Sequence, residues 1–337
     1  MGINKKLLSA TAPAPLVTGM KTVIYSGTGL SNERSDVGFQ PDLVWIKRRN
    51  TAQEHSAYDS TRGVQKVIYP DTNDIQYTET NSLNSFDNDG FTISGGSGLT
   101  NGSGNTYVAW CWKAGGSPSS VSNGTNTTAI TQSASTETGT SFTQFTASAA
   151  VTGNFTHGLG GTPDMVIVKT TTFTDTWFIW HKDLTGSGTN AVRFGTDAEE
   201  ANIGFWANTA PTSTTVTVAN GILVGSQKYL AWCWRKIVGF SAFGTYTGNG
   251  GSNPITVDDG GSGFQPDFVM AKPISGTGSW IIIDSTRGVN NELYPNLSAA
   301  EHPGSGNSFH STGFTMKSDG NWNSDTVKYI YAAFKTN

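Results

Sequence analysis

Charged residues, cysteines and long apolar runs are all scarce in this chain of 337 residues. Charged residues make up 14% of it, well below the usual quarter. The net charge of −4 comes without a basic stripe, which argues against a nucleic-acid partner. No segment is long and apolar enough to span a bilayer, and the first residues lack the apolar core of a secretory signal. We therefore expect no membrane insertion, and folding in a cytoplasm.

Motifs for catalysis and metal binding are missing as well. The five histidines show no HExxH or other metal-ligand spacing, and no G-x-S-x-G turn is present to hold a nucleophilic serine. The glutamates are scattered, so the paired carboxylates of a glycosidase are not indicated. The sequence predicts a protein without catalytic residues, cofactor or metal ion.

Glycine and aromatic residues are abundant. The chain has 41 glycines, and Phe, Trp and Tyr together reach 11%. With frequent Ser, Thr and Asn, this composition is typical of strands joined by tight turns. We predict an all-β fold.

A ten-residue cassette is the main internal pattern. It reads GFQPDLVWIK at 38–47 and GFQPDFVMAK at 263–272, and a worn copy, GTPDMVIVK, lies at 161–169. Each copy precedes a polar loop (YDSTRG, HKDLTG or IDSTRG) and then an aromatic strand (YVAWCWK, YLAWCWR or YIYAAFK). The strand tyrosine follows the cassette proline by 66, 66 and 63 residues. Landmarks in constant order at near-constant spacing predict three tandem copies of one module.

Composition suggests where the copies begin and end. We expect an N-terminal arm at 1–16, module 1 at 17–115, a linker at 116–125, module 2 at 126–236 and module 3 at 237–337. The linker is rich in Gly and Ser, which is typical of flexible connections. Module 1 should therefore hang on a looser tether, whereas the short apolar join between modules 2 and 3 predicts rigid packing.

The cassette strands are apolar at every position. Residues 43–46, 165–168 and 268–271 show no alternation, which is typical of strands covered on both faces. In the aromatic strand, Tyr107 and Cys111 would point to one face and Trp110 and Trp112 to the other. One face must fill the core of the module. The other must be covered by a loop, a neighbouring module or another subunit.

The two cysteines, Cys111 and Cys233, occupy the same position in two copies of the aromatic strand. The third copy has Ala333 there. A position that accepts either residue is small and buried, which favours two free core thiols. A disulfide and a catalytic thiol are the less favoured alternatives.

The polar loops hold the clearest polar signal. Asp59 and Arg62, like Asp284 and Arg287, stand three residues apart before a glycine. This spacing suits a tight turn in which carboxylate and guanidinium pair. A structural turn is the favoured interpretation, because the worn copy keeps an acid in a similar place, Asp183, but no arginine. The alternative is a ligand or sugar contact made by the two arginines.

Two loop tryptophans are further candidates for ligand contact. Trp206 and Trp322 are flanked by polar, turn-prone residues. An exposed indole beside amides can stack on a sugar ring, so both are candidate glycan contacts. The favoured alternative is a tryptophan folded over its own module or into a subunit contact.

As a set, the landmarks resemble a repeated module of virion structural proteins of tailed bacteriophages, notably marine and cyanobacterial phages. Such modules are described as concanavalin A-like or laminin G-like jelly rolls. The resemblance covers nearly all of the chain after the arm, with departures at HKDLTG in the middle copy and at AAF in the third. It implies antiparallel β-sandwich modules and a place on the virus particle, without an assigned activity.

We therefore expect a non-enzymatic virion component that is assembled in the host cytoplasm. The first choice is a tail-fibre or receptor-binding-type protein that self-associates, contacts other virion proteins and presents loops to a host-surface glycan. The second is a capsid decoration or cement protein. The third is a glycan-degrading enzyme on the tail.

Overall fold

The computed structural model describes residues 17–186, 188–195, 198, 200–304, 306–317 and 322–336. Over these residues the regular structure is all β, and the strands pair in antiparallel sheets. Within these ranges, no helix has the length and apolar character needed to cross a membrane. The arm predicted at 1–16 lies outside the described residues.

The strands fall into three groups along the chain. The first group is β1 (Met20–Ser26), β2 (Asn32–Arg34), β3 (Leu43–Arg48), β4 (Ser56–Asp59), β5 (Lys66–Val67), β6 (Tyr77–Thr78), β7 (Leu83–Asp87), β8 (Gly90–Ile93) and β9 (Thr106–Trp112). The second is β10 (Ser119–Ser120), β11 (Thr127–Ser135), β12 (Thr140–Ala147), β13 (Gly153–Thr156), β14 (Met165–Thr170), β15 (Phe178–His181), β16 (Asn190–Arg193), β17 (Ala201–Asn202), β18 (Thr215–Val218) and β19 (Lys228–Trp234). The third is β20 (Ser241–Thr247), β21 (Ser252–Thr256), β22 (Phe268–Pro273), β23 (Ile281–Asp284), β24 (Asn291–Glu292), β25 (His302–Pro303), β26 (Ser308–His310), β27 (Gly313–Lys317) and β28 (Lys328–Phe334).

One strand order occurs three times. Sheet 1 has the order β1-β9-β3-β4, and sheet 3 has the order β20-β28-β22-β23. The same arrangement, β12-β19-β14-β15, forms the middle of an eight-stranded sheet, which we call sheet 2. In all three, the aromatic strand lies between a lead strand and the cassette strand. Sheet 2 is longer because β10 and β11 extend one edge and β16 and β17 the other.

The cassette sets the register of these pairings. Its first apolar residue lies opposite the last residue of the aromatic strand, in the pairs Leu43–Trp112, Met165–Trp234 and Phe268–Phe334. The proline stays outside the strand, where its missing N–H costs no ladder bond. The aspartate after it accepts the N–H two residues beyond the aromatic strand, in the pairs Ala114–Asp42, Lys236–Asp164 and Thr336–Asp267. The Pro-Asp pair thus ties the entrance of one strand to the exit of the next.

Each sheet has a core of its own on its inner face. A second layer packs there, made of β2-β8-β7 on sheet 1, β13-β18 on sheet 2 and β21-β27-β26 on sheet 3. In sheet 1, Tyr107, Ala109 and Cys111 face Leu83 and Phe91 of that layer in one buried cluster. Sheets 2 and 3 have separate clusters of the same kind.

The outer faces of the three sheets share one central cluster. It unites Trp110 and Trp112 of sheet 1 with Trp232 of sheet 2, Phe334 of sheet 3 and further apolar residues of all three sheets. The ring of Trp112 lies 6.2 Å from that of Trp234 and 5.8 Å from that of Phe334. Both faces of the cassette strands are therefore covered, as predicted. Of the three predicted covers for the outer face, the structure shows neighbouring sheets of the same chain.

The expected looser tether of the first part of the chain is wrong. Sheet 1 contributes to the same central cluster as the other two sheets. The segment predicted as a flexible linker is also held: Asp42 accepts the N–H of Gly116 at 3.2 Å, and Ser119 and Ser120 form β10 beside β11. Composition alone predicted flexibility, and tertiary contacts overrode it.

The two cysteines are free and buried, as the favoured interpretation predicted. Cys111 lies in the inner cluster of sheet 1 and Cys233 in that of sheet 2. Burial raises the pKa of both thiols, so both stay protonated and unreactive.

Because the central cluster is shared, a cavity made in one sheet should weaken all three. Phe268 contacts Trp110, Trp112 and Phe334, at ring distances of 6.1, 5.5 and 6.0 Å. Phe268→Ala should cost about 3–5 kcal/mol and lower hydrogen-exchange protection in β9 and β19 together with β28. Leu30→Ala, at a residue that is 73% exposed, is the control. Loss of protection confined to sheet 3 would contradict a shared core.

Candidate functional site

The polar loops after β4 and β23 fold inward. Asp59 Oδ2 accepts from Arg62 Nε at 2.6 Å, and Asp59 Oδ1 accepts from Arg62 N at 3.1 Å. Both side chains of this ion pair have no exposed surface. Asp284 and Arg287 repeat the arrangement, with Nε 2.6 Å from Oδ2. Each pair forms a tight, buried turn, and neither arginine reaches solvent to contact a ligand.

Each buried aspartate also binds a tryptophan of a different sheet. Trp232 Nε1 of sheet 2 donates to Asp59 Oδ2 of sheet 1 at 3.1 Å. Trp110 Nε1 of sheet 1 donates to Asp284 Oδ2 of sheet 3 at 3.0 Å. The carboxylates thus join sheet 1 to sheet 2 and sheet 3 to sheet 1. A buried carboxylate needs such donors, because an unpaired charge in the interior is costly.

His181 takes the place of the aspartate in sheet 2. It lies opposite Met165, as Asp59 lies opposite Leu43. The sequence comparison that matched Asp183 with Asp59 was therefore displaced by two residues. His181 Nε2 donates to the carbonyl of Tyr331 in sheet 3 at 3.2 Å, so the third interface is joined as well.

The replacement of aspartate by histidine in sheet 2 is accompanied by a second replacement in sheet 3, which faces it. The position of Trp110 and Trp232 is filled in sheet 3 by Ala332, which has no side-chain donor. A buried aspartate facing it would lose its cross-sheet partner. His181 instead uses a backbone carbonyl, and Leu184 replaces the arginine, because there is no carboxylate left to pair with. At this interface the aspartate acceptor and the tryptophan donor have therefore been replaced together.

Three buried lysines, one at the end of each cassette, hold the loops of neighbouring sheets. Each Nζ donates to the carbonyl of the following residue and to a carbonyl in another part of the chain. The second bonds are Lys47 to Ser298 at 3.1 Å, Lys169 to Asn73 at 3.4 Å and Lys272 to Ala198 at 2.8 Å. The acceptors lie in the loops between β24 and β25, β5 and β6, and β16 and β17. Burial lowers the pKa of Lys47 and of Lys169 to about 8.

A ring N–H makes a second bond to each of the same regions, in the loop itself or, at Arg193, in the last residue of β16. The ring bonds run from His55 to the carbonyl of Tyr294, from Trp177 to that of Tyr69 and from Trp280 to that of Arg193, at 3.0, 3.0 and 2.8 Å. The three donors stand at the same distance, four residues, before Asp59, His181 and Asp284. Sheet 1 therefore holds a loop of sheet 3, sheet 2 one of sheet 1, and sheet 3 one of sheet 2. The contacts form a closed cycle.

An ion-pair network strengthens the contact between the first and last sheets. Arg49 binds both carboxylate oxygens of Glu301, each at 2.8 Å, and Arg287 Nη1 reaches Glu301 Oε2 at 3.0 Å. Where sheet 2 meets sheet 1, Thr171 stands in place of Arg49 and Gln76 in place of Glu301. The bidentate pair thus occurs where the cycle closes between the first and last sheets. Bidentate Arg–carboxylate pairs add both strength and specificity to such a contact.

The predicted glycan contacts are not supported by this geometry. Trp206 is fully buried in the core of sheet 2, and Trp322 is 2% exposed in the core of sheet 3. A buried indole has no face free for a sugar ring. The polar flanks suggested exposure, whereas Trp206 packs edge-on against Phe205 with ring centroids 4.4 Å apart.

The buried polar groups are suited to holding the sheets together rather than to acting on a substrate. The lysines and the ring N–H groups were not among the candidate residues predicted from the sequence. The signal that could have found them is their recurrence at a fixed distance from the cassette proline in every copy. Within the described ranges, no three His, Cys, Asp or Glu side chains are grouped so that they could hold a metal ion.

A family model described as a domain of unknown function (DUF7483) matches residues 18–337. Neither the curated proteins nor the solved structures include a significant match to the chain.

The bond between Asp59 and Trp232 should be measurable as a coupling energy. In a double-mutant cycle of Asp59→Asn and Trp232→Phe, we expect the two effects to be non-additive by about 1–3 kcal/mol. Trp234→Phe is the matched control, because Trp234 Nε1 is buried without a hydrogen-bond partner among the described residues. Chemical denaturation measures all four free energies in each cycle. Equal coupling in the two cycles would show that the bond contributes nothing specific.

His181 should make the stability depend on acidity. Burial lowers its pKa to about 4 from its usual value of 6.5, so the unfolded chain binds the proton more readily. The free energy of unfolding should therefore fall as the pH drops from 6.5 towards 4, by up to about 3 kcal/mol. His181→Gln keeps a donor for Tyr331 O and removes the titration, so its curve should be flatter over that range. The control is His302→Gln, at an exposed residue, and a curve for His181→Gln as steep as that of the native chain would refute the assignment.

Proposed function

The chain belongs to the DUF7483 family, and we propose that it is a non-enzymatic structural protein of a bacteriophage particle, of the tail-fibre or receptor-binding type. In this proposal the chain consists of three tandem β-sandwich modules of jelly-roll type, at 17–115, 126–236 and 237–337, preceded by the arm 1–16. The threefold recurrence of one strand order supports the repetition. The resemblance of the cassette, polar loop and aromatic strand to virion modules supports the setting.

The observation that carries the structural role is the use made of the repeated polar residues. Asp59 and Asp284 are fully buried and saturated by bonds to arginine and to the tryptophan of another sheet. The cassette lysines are buried against carbonyls. A reactive centre requires polar groups that can reach a substrate. These groups instead join three sheets into one body, which suits a structural component.

One ground for expecting self-association was that another subunit could cover the apolar outer faces, but that cover comes from within the chain. An apolar outer face on each sheet required a cover, and the central cluster provides it. We propose that the chain enters the particle as one preassembled unit in which three modules stand where a trimer would have three subunits. Contacts with other virion proteins then use exposed surface loops and the arm.

A capsid decoration or cement protein is the second candidate. The cyclic arrangement of three sheets around one apolar cluster favours it, because such a body matches a threefold site on a shell. A glycan-degrading enzyme on the tail receives no comparable support, since the carboxylates repeated in the sequence have no exposed atoms.

The number of copies on each particle separates the two candidates. Quantitative mass spectrometry of purified particles should find few copies, at the tail, for the first candidate. Copies in numbers like those of the major shell protein, retained on empty heads, would favour decoration instead. Absence of the chain from purified particles would refute both.

Removal of residues 1–16 should leave the fold intact and block incorporation. The truncated chain should keep its melting temperature and elute as a monomer in light-scattering chromatography, because sheet 1 begins at Met20. Complementation of a deletion mutant should give particles without the protein, whereas the full chain restores it. Incorporation of the truncated chain at the normal level would show that the arm is not the attachment point.

A further inference from the structure

The first part of the chain carries an open cleft next to β6. Its volume is about 290 Å³, at the lower end of the range for small-molecule sites. The lining that matters here comprises Glu54, Tyr69, Asp74, Tyr77, Glu79 and Leu99. None of these six side chains takes part in the bonds that join the sheets, although the backbone carbonyl of Tyr69 does. The scaffold therefore does not account for the side chains.

Tyrosine rings form one wall of the cleft. Tyr77 is 41% exposed, and its ring centroid lies 5.8 Å from that of Tyr69 at an angle of 34°. An exposed aromatic ring offers an apolar face together with a polar hydroxyl. That combination suits a ligand that has an apolar face and a polar edge.

Carboxylates make up the charged part of the cleft lining. Glu54, Asp74 and Glu79 belong to no ion pair within the residues that the structure describes. Burial raises the pKa of Tyr69, and the negative charges of Glu79 and Glu54 add to the rise. Ionised carboxylates accept hydrogen bonds and repel anions. The cleft therefore favours donors of hydrogen bonds and disfavours acidic ligands.

The backbone around the cleft is held from outside. Trp177 Nε1 of sheet 2 donates to the carbonyls of Tyr69 and Thr72, at 3.0 and 3.2 Å. Asp175 N donates to Asn73 O at 3.0 Å. A loop fixed in this way loses little entropy when a ligand binds, which favours affinity.

The corresponding place in the third part of the chain is filled. Thr100 and Trp322 hold equivalent positions, because Tyr25 and Tyr246 donate to their carbonyls, both at 2.7 Å. Trp322 stacks on Tyr294, with ring centroids 5.7 Å apart and an angle of 26°. Thr100 carries no ring that could cover Tyr69. The first and third parts of the chain thus differ beside this tyrosine, and the fold does not require the cleft.

We propose that this cleft binds a sugar ring that carries hydroxyl or amino groups and no carboxylate. Tyr77 supplies the stacking face, and Glu54, Asp74 and Glu79 accept hydrogen bonds from the sugar. The assignment deepens the attachment role proposed above by giving it a site and a ligand class. It replaces Trp206 and Trp322, which are buried, as the place of glycan contact.

Binding by the purified full chain tests the proposal. Saturation-transfer NMR and calorimetry with the methyl glycosides of glucose, galactose, glucosamine and glucuronic acid cover neutral, amino and acidic rings. We expect at least one of the first three to bind, and the glucuronide to bind about tenfold more weakly or not at all. Failure of every neutral and amino sugar, or equal binding of the glucuronide, would overturn the proposal.

Variants at the stacking face distinguish the cleft from other surfaces. Tyr77→Ala should weaken sugar binding about tenfold, and Tyr77→Phe should retain it, because the ring face remains. Leu297→Ala is the control, since Leu297 is similarly exposed at 42% in the corresponding loop of the third part. Unchanged binding by Tyr77→Ala, with its melting temperature preserved, would place the ligand elsewhere. The assay needs no particles, so its failure leaves the copy-number and arm experiments unaffected.

Discussion

The structure depends on covering three sheets that are apolar on both faces. A second layer of strands covers the inner face of each sheet, and only the other two sheets are left to cover the outer face. Bringing the three outer faces together buries the ends of the cassette strands as well. Polar groups there, such as Lys47 in β3 and Asp59 at the end of the adjacent β4, then lose water and must find partners across an interface. The cycle of cross-sheet bonds follows from that requirement.

Changes within the cycle occur in matched pairs for the same reason. Aspartate stands where the facing sheet offers a tryptophan N–H, and His181 stands where it offers Ala332. Glu301 stands between two arginines, whereas Gln76 meets one arginine and Thr171. Removing one member of a buried polar pair costs more than exchanging both. Position-by-position differences between the three sheets are therefore constrained by the neighbouring sheet as much as by the sheet itself.

The all-β fold and the double coverage of the strands could be predicted from apolar runs without alternation. The partner that covers the outer face could not, because periodicity shows that a face is buried and not what lies against it. His181 could have been found: it follows Pro163 by 18 residues, as Asp59 follows Pro41. The shared residue type, aspartate, pointed to Asp183 instead. The burial of Trp206 could not be seen in its polar flanks, since tertiary packing decides the exposure of a loop side chain.

Some positions contact another sheet and others do not, and a binding function can develop more readily at the second kind. Positions in the central cluster and in the cross-sheet bonds are tied to partners on another sheet, so a change there disturbs two sheets at once. The region around Thr100 and Trp322 is instead held by bonds within its own part of the chain, among them the backbone bond to a tyrosine. In the third part of the chain the ring of Trp322 stacks on Tyr294, whereas in the first part Tyr69 lines the cleft. Trp177 and Lys169 hold the loop beside the cleft through the backbone carbonyls of Tyr69 and Asn73. The lining side chains can therefore change without loss of these bonds.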